Sequence, residues 1–319
     1  MKKLLGWMLV LALIAGAWAL AEEWTIELIP ADAVVVQPLN PEAEAVAIEE
    51  EETLSPEELS DEWWNILLLG CDSYTKNSYS RTDSMIIVSV NAAQEQVKLT
   101  SLMRDTWIKV PGKSSHRKLT ELCAVGGPEL TIRAINENFG MNIEDYALIS
   151  LEGMAEIIDL LGGIELDVTE AERKALNKGL FDLSPHSGME KLEKSGEQVH
   201  LNGNQAVAFA RIRNIDSDFV RTERQRTVLM TMAKKLKSGA DLGTLMSMVS
   251  TLADYVDTNL GILELMRLAK IGLRADLSSA EELRLPADGT YESGTFDGIW
   301  CIKPNYKKNT AILHEFIYG

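Results

Sequence analysis

The chain of 319 residues is 46% hydrophobic and 25% charged, enough apolar material for one sizeable core. Its net charge of −17 is unevenly spread: residues 21–62 hold fourteen Asp and Glu and no Lys or Arg, whereas residues 63–319 carry 34 acidic against 29 basic groups. A near-neutral folded part is no nucleic-acid surface, and three separated cysteines (Cys71, Cys123, Cys301) without CxxC or Cys/His spacing exclude a zinc ribbon and admit at most one disulfide.

In chain order, Lys2 and Lys3 precede an uncharged run from Leu4 to Leu20, "LLGWMLVLALIAGAWAL". Two lysines before an apolar run, and only acids after it, place the N-terminus in the cytoplasm. The run is at the short end for a membrane span, and "AWA" and "ALA" at 17–21 resemble cleavage sites. Residues 1–21 therefore read either as a single-pass anchor or as a signal peptide, and both readings export the chain beyond residue 21. Residues 22–62, with prolines at 30, 38, 41 and 56 and the run "EEEE" at 49–52, read as a disordered acidic spacer between membrane and domain. Residues 63–319 read as one domain.

From Asn65 the texture changes. "NILLLG" (65–70) and "SMIIVSVN" (84–91) are short apolar runs bounded by turn residues, and "QVKLTSLM" (96–103) alternates beside them; all three read as strands, followed by a short "TWIKV". A helix is predicted over 128–139, opened by Pro128 and closed by Gly140. "YALIS" reads as strand, "LEGMAEIIDLL" as helix ending at Gly162-Gly163, and "IELDV" as strand. Residues 177–200 lack a period and read as an extended loop. Asn202 is placed as the N-cap of an Ala-rich helix, and a longer helix is predicted over 218–237, burying Val220, Val228, Leu229 and Met232. Helices at roughly 242–255 and 261–272 come next. "LRLP" near 283 and "GIWCIKP" near 298 are expected to return to the sheet, before a last helix from about 307. Interleaved strands and helices predict α/β layering with helices on both sheet faces.

Three constellations carry chemistry. Arg211, Arg213, Arg221, Arg224 and Arg226 lie within sixteen residues of a chain with thirteen arginines. Arginine donates bidentate hydrogen bonds to phosphate oxygens and keeps its charge on burial. Arg221, Arg224 and Gln225, at i, i+3 and i+4, share one helical face, whereas Arg226 points elsewhere and reads as a surface charge. The alternative is a solvated face paired to Asp216, Asp218 and Glu223. The second constellation, "LGCDSYTKNSYSRTDSM", joins two strands through a polar loop holding Asp72, Arg81 and Asp83. Loops at strand ends bind ligands in α/β sheets, and two carboxylates suit a hard divalent ion; the alternative is Asx-turn chemistry. The third is Arg104-Asp105 at the end of a strand, either a structural ion pair or a group facing the same cleft as Asp83. There is no Walker A loop, GxGxxG or GxSxG, and the four histidines lack metal spacing.

"NILLLGCDS…SRTDSMIIVSVN…VKLTSLMRDT", then "GGPELTIRAINENFGMNIEDYALISLEGMAEIIDLLGGIELDV", then "LNGNQAVAFARIRNIDSDFVRTERQ" resemble the LytR-CpsA-Psr family over about residues 65–235. The resemblance implies a three-layer αβα sandwich with a central mixed β-sheet. It also implies a membrane enzyme that moves the phosphoglycosyl part of a polyprenyl-pyrophosphate-linked glycan (teichoic acid, capsular or related polysaccharide) to a peptidoglycan hydroxyl. By motif position Asp72 and Asp83 would hold Mg²⁺, with Mn²⁺ as the alternative ion. Arg81, Arg104, Arg211, Arg213, Arg221 and Gln225 would bind the pyrophosphate, and Asp218 is the candidate base beside the acceptor. The lipid tail is expected in an apolar groove between the sheet and the 240–272 helices. The chain departs from the pattern at Met103, where proline is frequent, at Cys71, where a small residue is usual, and in "RKLTELCAVGG", which puts polymer specificity in doubt. Two other activities compete: non-catalytic binding of lipid-linked glycan, and hydrolysis of the same pyrophosphate by water.

Overall fold

A computed structural model describes residues 62–319 except 76–77, 184–189, 214, 216–217, 240–255 and scattered positions between 262 and 279. Predicted features at residues 1–61 and 242–255 lie outside the described residues. The apolar runs form β1 (Trp63–Cys71), β4 (Thr82–Asn91), β5 (Gln96–Leu102) and β8 (Asp145–Ser150), with a short hairpin of β2 (Tyr74–Thr75) and β3 (Ser78–Tyr79) between the first two; β11 (Val256–Thr258) and β12 (Glu281–Leu285) complete a sheet ordered β11-β8-β1-β4-β5-β12. β1 is parallel to β8 and antiparallel to β4, β5 is antiparallel to β4 and parallel to β12, so the sheet is mixed.

Successive residues of a strand face opposite sides, and here both sides are apolar. Ile66, Ile86, Val88 and Ala147 face one core; Leu67, Met85, Ile87 and Leu148 face the other. The first core is closed by α2 (Leu151–Leu160), α4 (Gly203–Ala210) and α5 (Asp218–Gly239), the second by α1 (Leu119–Phe139) and α6 (Tyr306–Tyr318). The result is a three-layer αβα sandwich.

Local chemistry explains the boundaries. Gly140 takes φ 59°, and its N–H bonds Asn136 O, so α1 ends where a left-handed residue is available. Gly126 and Gly127 break α1 into two helical pieces, with Pro128 restarting the second; the first piece, from Leu119, was not expected. Ser150 caps α2, and Asn202 with Gln205 forms a capping box at α4. At Gly203 a Cβ would lie 2.0 Å from Ala155 O, so α4 approaches α2 too closely for any side chain there.

Three expectations are corrected. Residues 177–200 are not a loop throughout: α3 (Glu170–Leu183) and β10 (Gly196–Leu201) occupy much of the segment, β10 pairing with β9 (Ile164–Val168). "GIWCIKP" does not rejoin the main sheet; β14 (Ile299–Pro304) pairs with β13 (Tyr291–Phe296) in a separate ribbon. Val228 and Met232 are buried, but Val220 and Leu229 are only half-buried. Described positions between 264 and 274 are helical, in keeping with the predicted helix there.

Candidate active site

The site begins at a defect in the β1–β4 ladder. Gly70 pairs with Ser84 and Cys71 with Thr82, so Asp83 is an extra, unpaired residue. Such a bulge re-aims side chains: Asp83 and Ser84, which ideal alternation would send to opposite faces, both line one cleft. Gly70 makes the close approach feasible, since a Cβ there would lie 3.1 Å from Ser84 Cβ. Asp72, just past the end of β1, and Arg211, the C-cap of α4, stand at the same cleft.

The walls are apolar. Leu68, Ile86 and Ile149 come from the sheet, Met154 from α2, Val207 from α4 and Val228 from α5. Among the described residues the groove is roofed by α2, α4 and α5; most of the expected roof at 240–272 lies outside the described residues. The sequence placed α4 and α5 but could not show which helices would cover the β1–β4 end of the sheet.

Charges concentrate on Asp83. One carboxylate oxygen accepts from Arg104 Nη1, and the other accepts from Arg213 Nη2 at 2.6 Å. Gln225 Nε2 donates to Asp83 O at 3.4 Å, and Arg211 Nη2 lies 3.5 Å from Asp72 Oδ1. Arg104 also lies 3.8 Å from Asp105 Oδ2, and Asp105 accepts from Lys118 Nζ at 2.7 Å, at the end of β7 (His116–Lys118). So Arg104, Arg211, Arg213 and Gln225 meet Asp72 and Asp83 around one cleft, from three distant segments.

Arg81 is exposed and lies 3.5 Å from Glu121 of α1. Arg221 is only 1% exposed, among the largest fully buried side chains. Asp218 is the first residue of α5, and its side chain lies outside the described residues. Arg226 is corrected: it is not a surface charge but buried, donating to Glu282 Oε2 at 2.5 Å and Ser101 Oγ at 2.9 Å, and so ties α5 to β12 and β5. Arg224 is buried too, bonded to Glu172 Oε1 at 2.9 Å and stacked 5.8 Å from the Phe209 ring. Neither is part of the anionic site.

Two features escaped the sequence reading. Ser150 and Leu151 line the cleft, and Ser150 Oγ accepts from Gly153 N at 3.1 Å, so the N-terminus of α2 meets the ligand space; the strand-Ser-helix pattern of "YALISLEG" carried that signal. Cys71 also lines the cleft, and burial pushes its thiol up to about 12. A protonated thiol at neutral pH is neither nucleophile nor soft-metal ligand. The donor set around Asp72 and Asp83 instead fits a hard cation that takes one or two carboxylates and completes its shell with phosphate oxygens and water.

The family model described as LytR_cpsA_psr family matches residues 36–315. Among curated proteins, the chain is 29% identical over 238 residues to the polyisoprenyl-teichoic acid–peptidoglycan teichoic acid transferase TagU of Bacillus mycoides, covering 74% of this chain and 72% of that protein. It is 30% identical over 259 residues to the regulatory protein MsrR of Staphylococcus aureus, covering 79% and 74%. Among solved structures, B. subtilis TagV superposes with a TM-score of 0.63 at 24% identity, over 81% of this chain and 98% of that one. TagT bound to LIIa-WTA superposes at 0.64 and 21% identity, over 85% and 94%. These likenesses and the matching family model make the chain a member of the LytR-CpsA-Psr family.

Proposed function

We propose that this protein transfers an anionic glycopolymer from a polyprenyl-pyrophosphate carrier to a peptidoglycan hydroxyl, forming a phosphodiester and releasing polyprenyl phosphate. The observation that carries the reading is the pairing of an arginine-and-aspartate rim with apolar walls in one cleft. A lipid pyrophosphate needs both. The relative named TagU, a teichoic acid transferase, and the TagT structure bound to LIIa-WTA support a glycopolymer donor.

Asp72 and Asp83 would hold Mg²⁺, which when bound supplies positive charge to the pyrophosphate. In this structure Asp83 bridges Arg104 and Arg213, leaving one positive charge in excess; with a pyrophosphate present, the same guanidiniums turn their remaining N–H groups to its oxygens. The acceptor oxygen attacks the glycan-side phosphorus, and the bridging P–O bond to the polyprenyl phosphate breaks with its electron pair. The acceptor proton goes to Asp218 on the family assignment. Positioning and electrostatic stabilisation account for such a step without a covalent nucleophile, which agrees with the protonated state of Cys71. An N-terminal anchor at 4–20 would keep the cleft beside the lipid carrier on the extracellular face.

The test is to incubate full-length protein with a lipid-pyrophosphate oligosaccharide, peptidoglycan fragments and Mg²⁺. A covalent phosphodiester between the two is expected. Free glycan phosphate as the sole product would show hydrolysis, and no product with retained donor binding would show a non-catalytic binder.

A further inference from the structure

Trp300, on β14, is 52% exposed, and its neighbour Ile299 is exposed with it. Alternation along β14 sends Ile299 to the opposite face of the ribbon, so the surface on this side is the Trp300 ring with its polar neighbours. Lys118 Nζ lies 5.7 Å from the Trp300 ring centroid and donates to Asp105 Oδ1 at 2.7 Å. Asp105 Oδ2 lies 3.8 Å from Arg104 Nε, and Arg104 pairs with Asp83 in the cleft. Trp300 thus stands at the far end of an unbroken series of charged contacts that starts at the phosphate site.

The backbone holds this arrangement. β6 (Trp107–Lys109) and β7 form a hairpin, and a parallel bridge between Thr106 and Ile302 joins it to the β13–β14 ribbon. Ile302 N donates to Asp105 O at 2.9 Å, fixing the ribbon to the residue after Arg104. On the hairpin, Trp107 and His116 stack with ring centroids 5.9 Å apart. Burial, with Lys109 and Lys303 close by, holds His116 below its ordinary value although Asp297 pulls the other way, so the ring is neutral at neutral pH.

We propose that Trp300, Lys118 and Asp105 form an acceptor subsite that binds a hexosamine ring of the peptidoglycan glycan strand. The inference rests on the transferase reading. The indole presents an apolar face to the C–H face of a sugar ring, while Lys118, held in place by the buried Asp105, offers a donor to its hydroxyl and amide oxygens. The lysine also matches a carboxylate, either the free lactyl group of unsubstituted muramic acid or one on the peptide that replaces it. A membrane surface is the lesser fit. The ribbon turns at Asp297 and Gly298, with φ of 50° and 78°, and so puts a carboxylate at its tip, where an anionic membrane would repel it.

The test is calorimetric titration of the full-length protein, without donor, with a tetrasaccharide of alternating N-acetylglucosamine and N-acetylmuramic acid. Trp300→Ala is expected to weaken binding about tenfold, and Trp300→Tyr to recover most of it. Donor affinity should be the same in all three proteins. The proposal is overturned if Trp300→Ala binds the saccharide like wild type, or if it loses donor affinity equally. If wild type binds the saccharide and Trp300→Ala does not, yet neither forms a phosphodiester, the transferase reading fails and the subsite stands.

Discussion

Arginines that look alike in the sequence divide into two kinds once their partners are seen. Arg104, Arg211 and Arg213 keep part of their surface open and face carboxylates at the cleft, whereas Arg224 and Arg226 are consumed by Glu172 and Glu282. Helical spacing put Arg221, Arg224 and Gln225 on one face, and Gln225 does reach Asp83; it could not say that Arg226 would meet the edge of the sheet, because that depends on how α5 crosses β5 and β12. The division makes a prediction. Removing Arg224 leaves the Glu172 carboxylate short of its cation in a mostly buried position, so Arg224→Met should cost about 3 kcal/mol and lower the melting temperature by several degrees. Donor affinity in the surviving folded protein should stay within about twofold. A drop in affinity without a drop in melting temperature would place Arg224 in the binding site instead.

At the scale of elements, the strands and capped helices were legible because their signals are local: β-branched runs, Pro128 before Gly140, and Asn202 three residues before Gln205. Asn202→Ala removes an acceptor for Gln205 N and should cost about 1 kcal/mol in a denaturant melt. The misreadings have a physical cause as well. The strand β10, "GEQVHL", is polar and largely exposed and is held by pairing with β9, a partner some thirty residues away. The bulge at Asp83, which builds the site, leaves no mark in the residue pattern because it shows only against the opposite strand. At the start of β8, burial raises Asp145 from 3.8 to about 6 despite the hydrogen bond from Trp64 Nε1, with Glu264 and Glu144 adding to the rise. A carboxyl raised on folding binds more protons in the folded state, so stability falls as pH climbs from about 4 to about 6 and is level above. Asp145→Asn should remove that slope and gain about 2 kcal/mol above pH 6, read as melting temperature against pH. A variant with the wild-type slope would contradict the assignment.

For the whole molecule, the net charge of −17 misleads as a single number, since most of the excess acid lies in residues 21–62 and three arginines of the sandwich meet at one cleft. Motif order disclosed the family over 65–235, and the family model extends the match to 36–315. Among the described residues no helix is long and apolar enough to cross a membrane, and the apolar run at 4–20 lies outside them. The groove behind the arginines was not legible, because α2, α4 and α5 line it only after the chain has crossed the sheet. If the cleft holds a pyrophosphate through its arginines and a Mg²⁺ ion, chelation with EDTA should abolish transfer and added Mg²⁺ should restore it, with the melting temperature of the protein little changed. Transfer that persists in EDTA would remove the ion from the account.

The most direct test compares wild type with Arg104→Ala in the phosphodiester-forming reaction under saturating Mg²⁺. Arg104 pairs with Asp83 at the cleft and keeps partial exposure, so its loss should cost about a hundredfold or more in rate. The melting temperature should shift by no more than a few degrees. Equal rates for the two proteins would contradict the claim that this cleft stabilises the transferred phosphate.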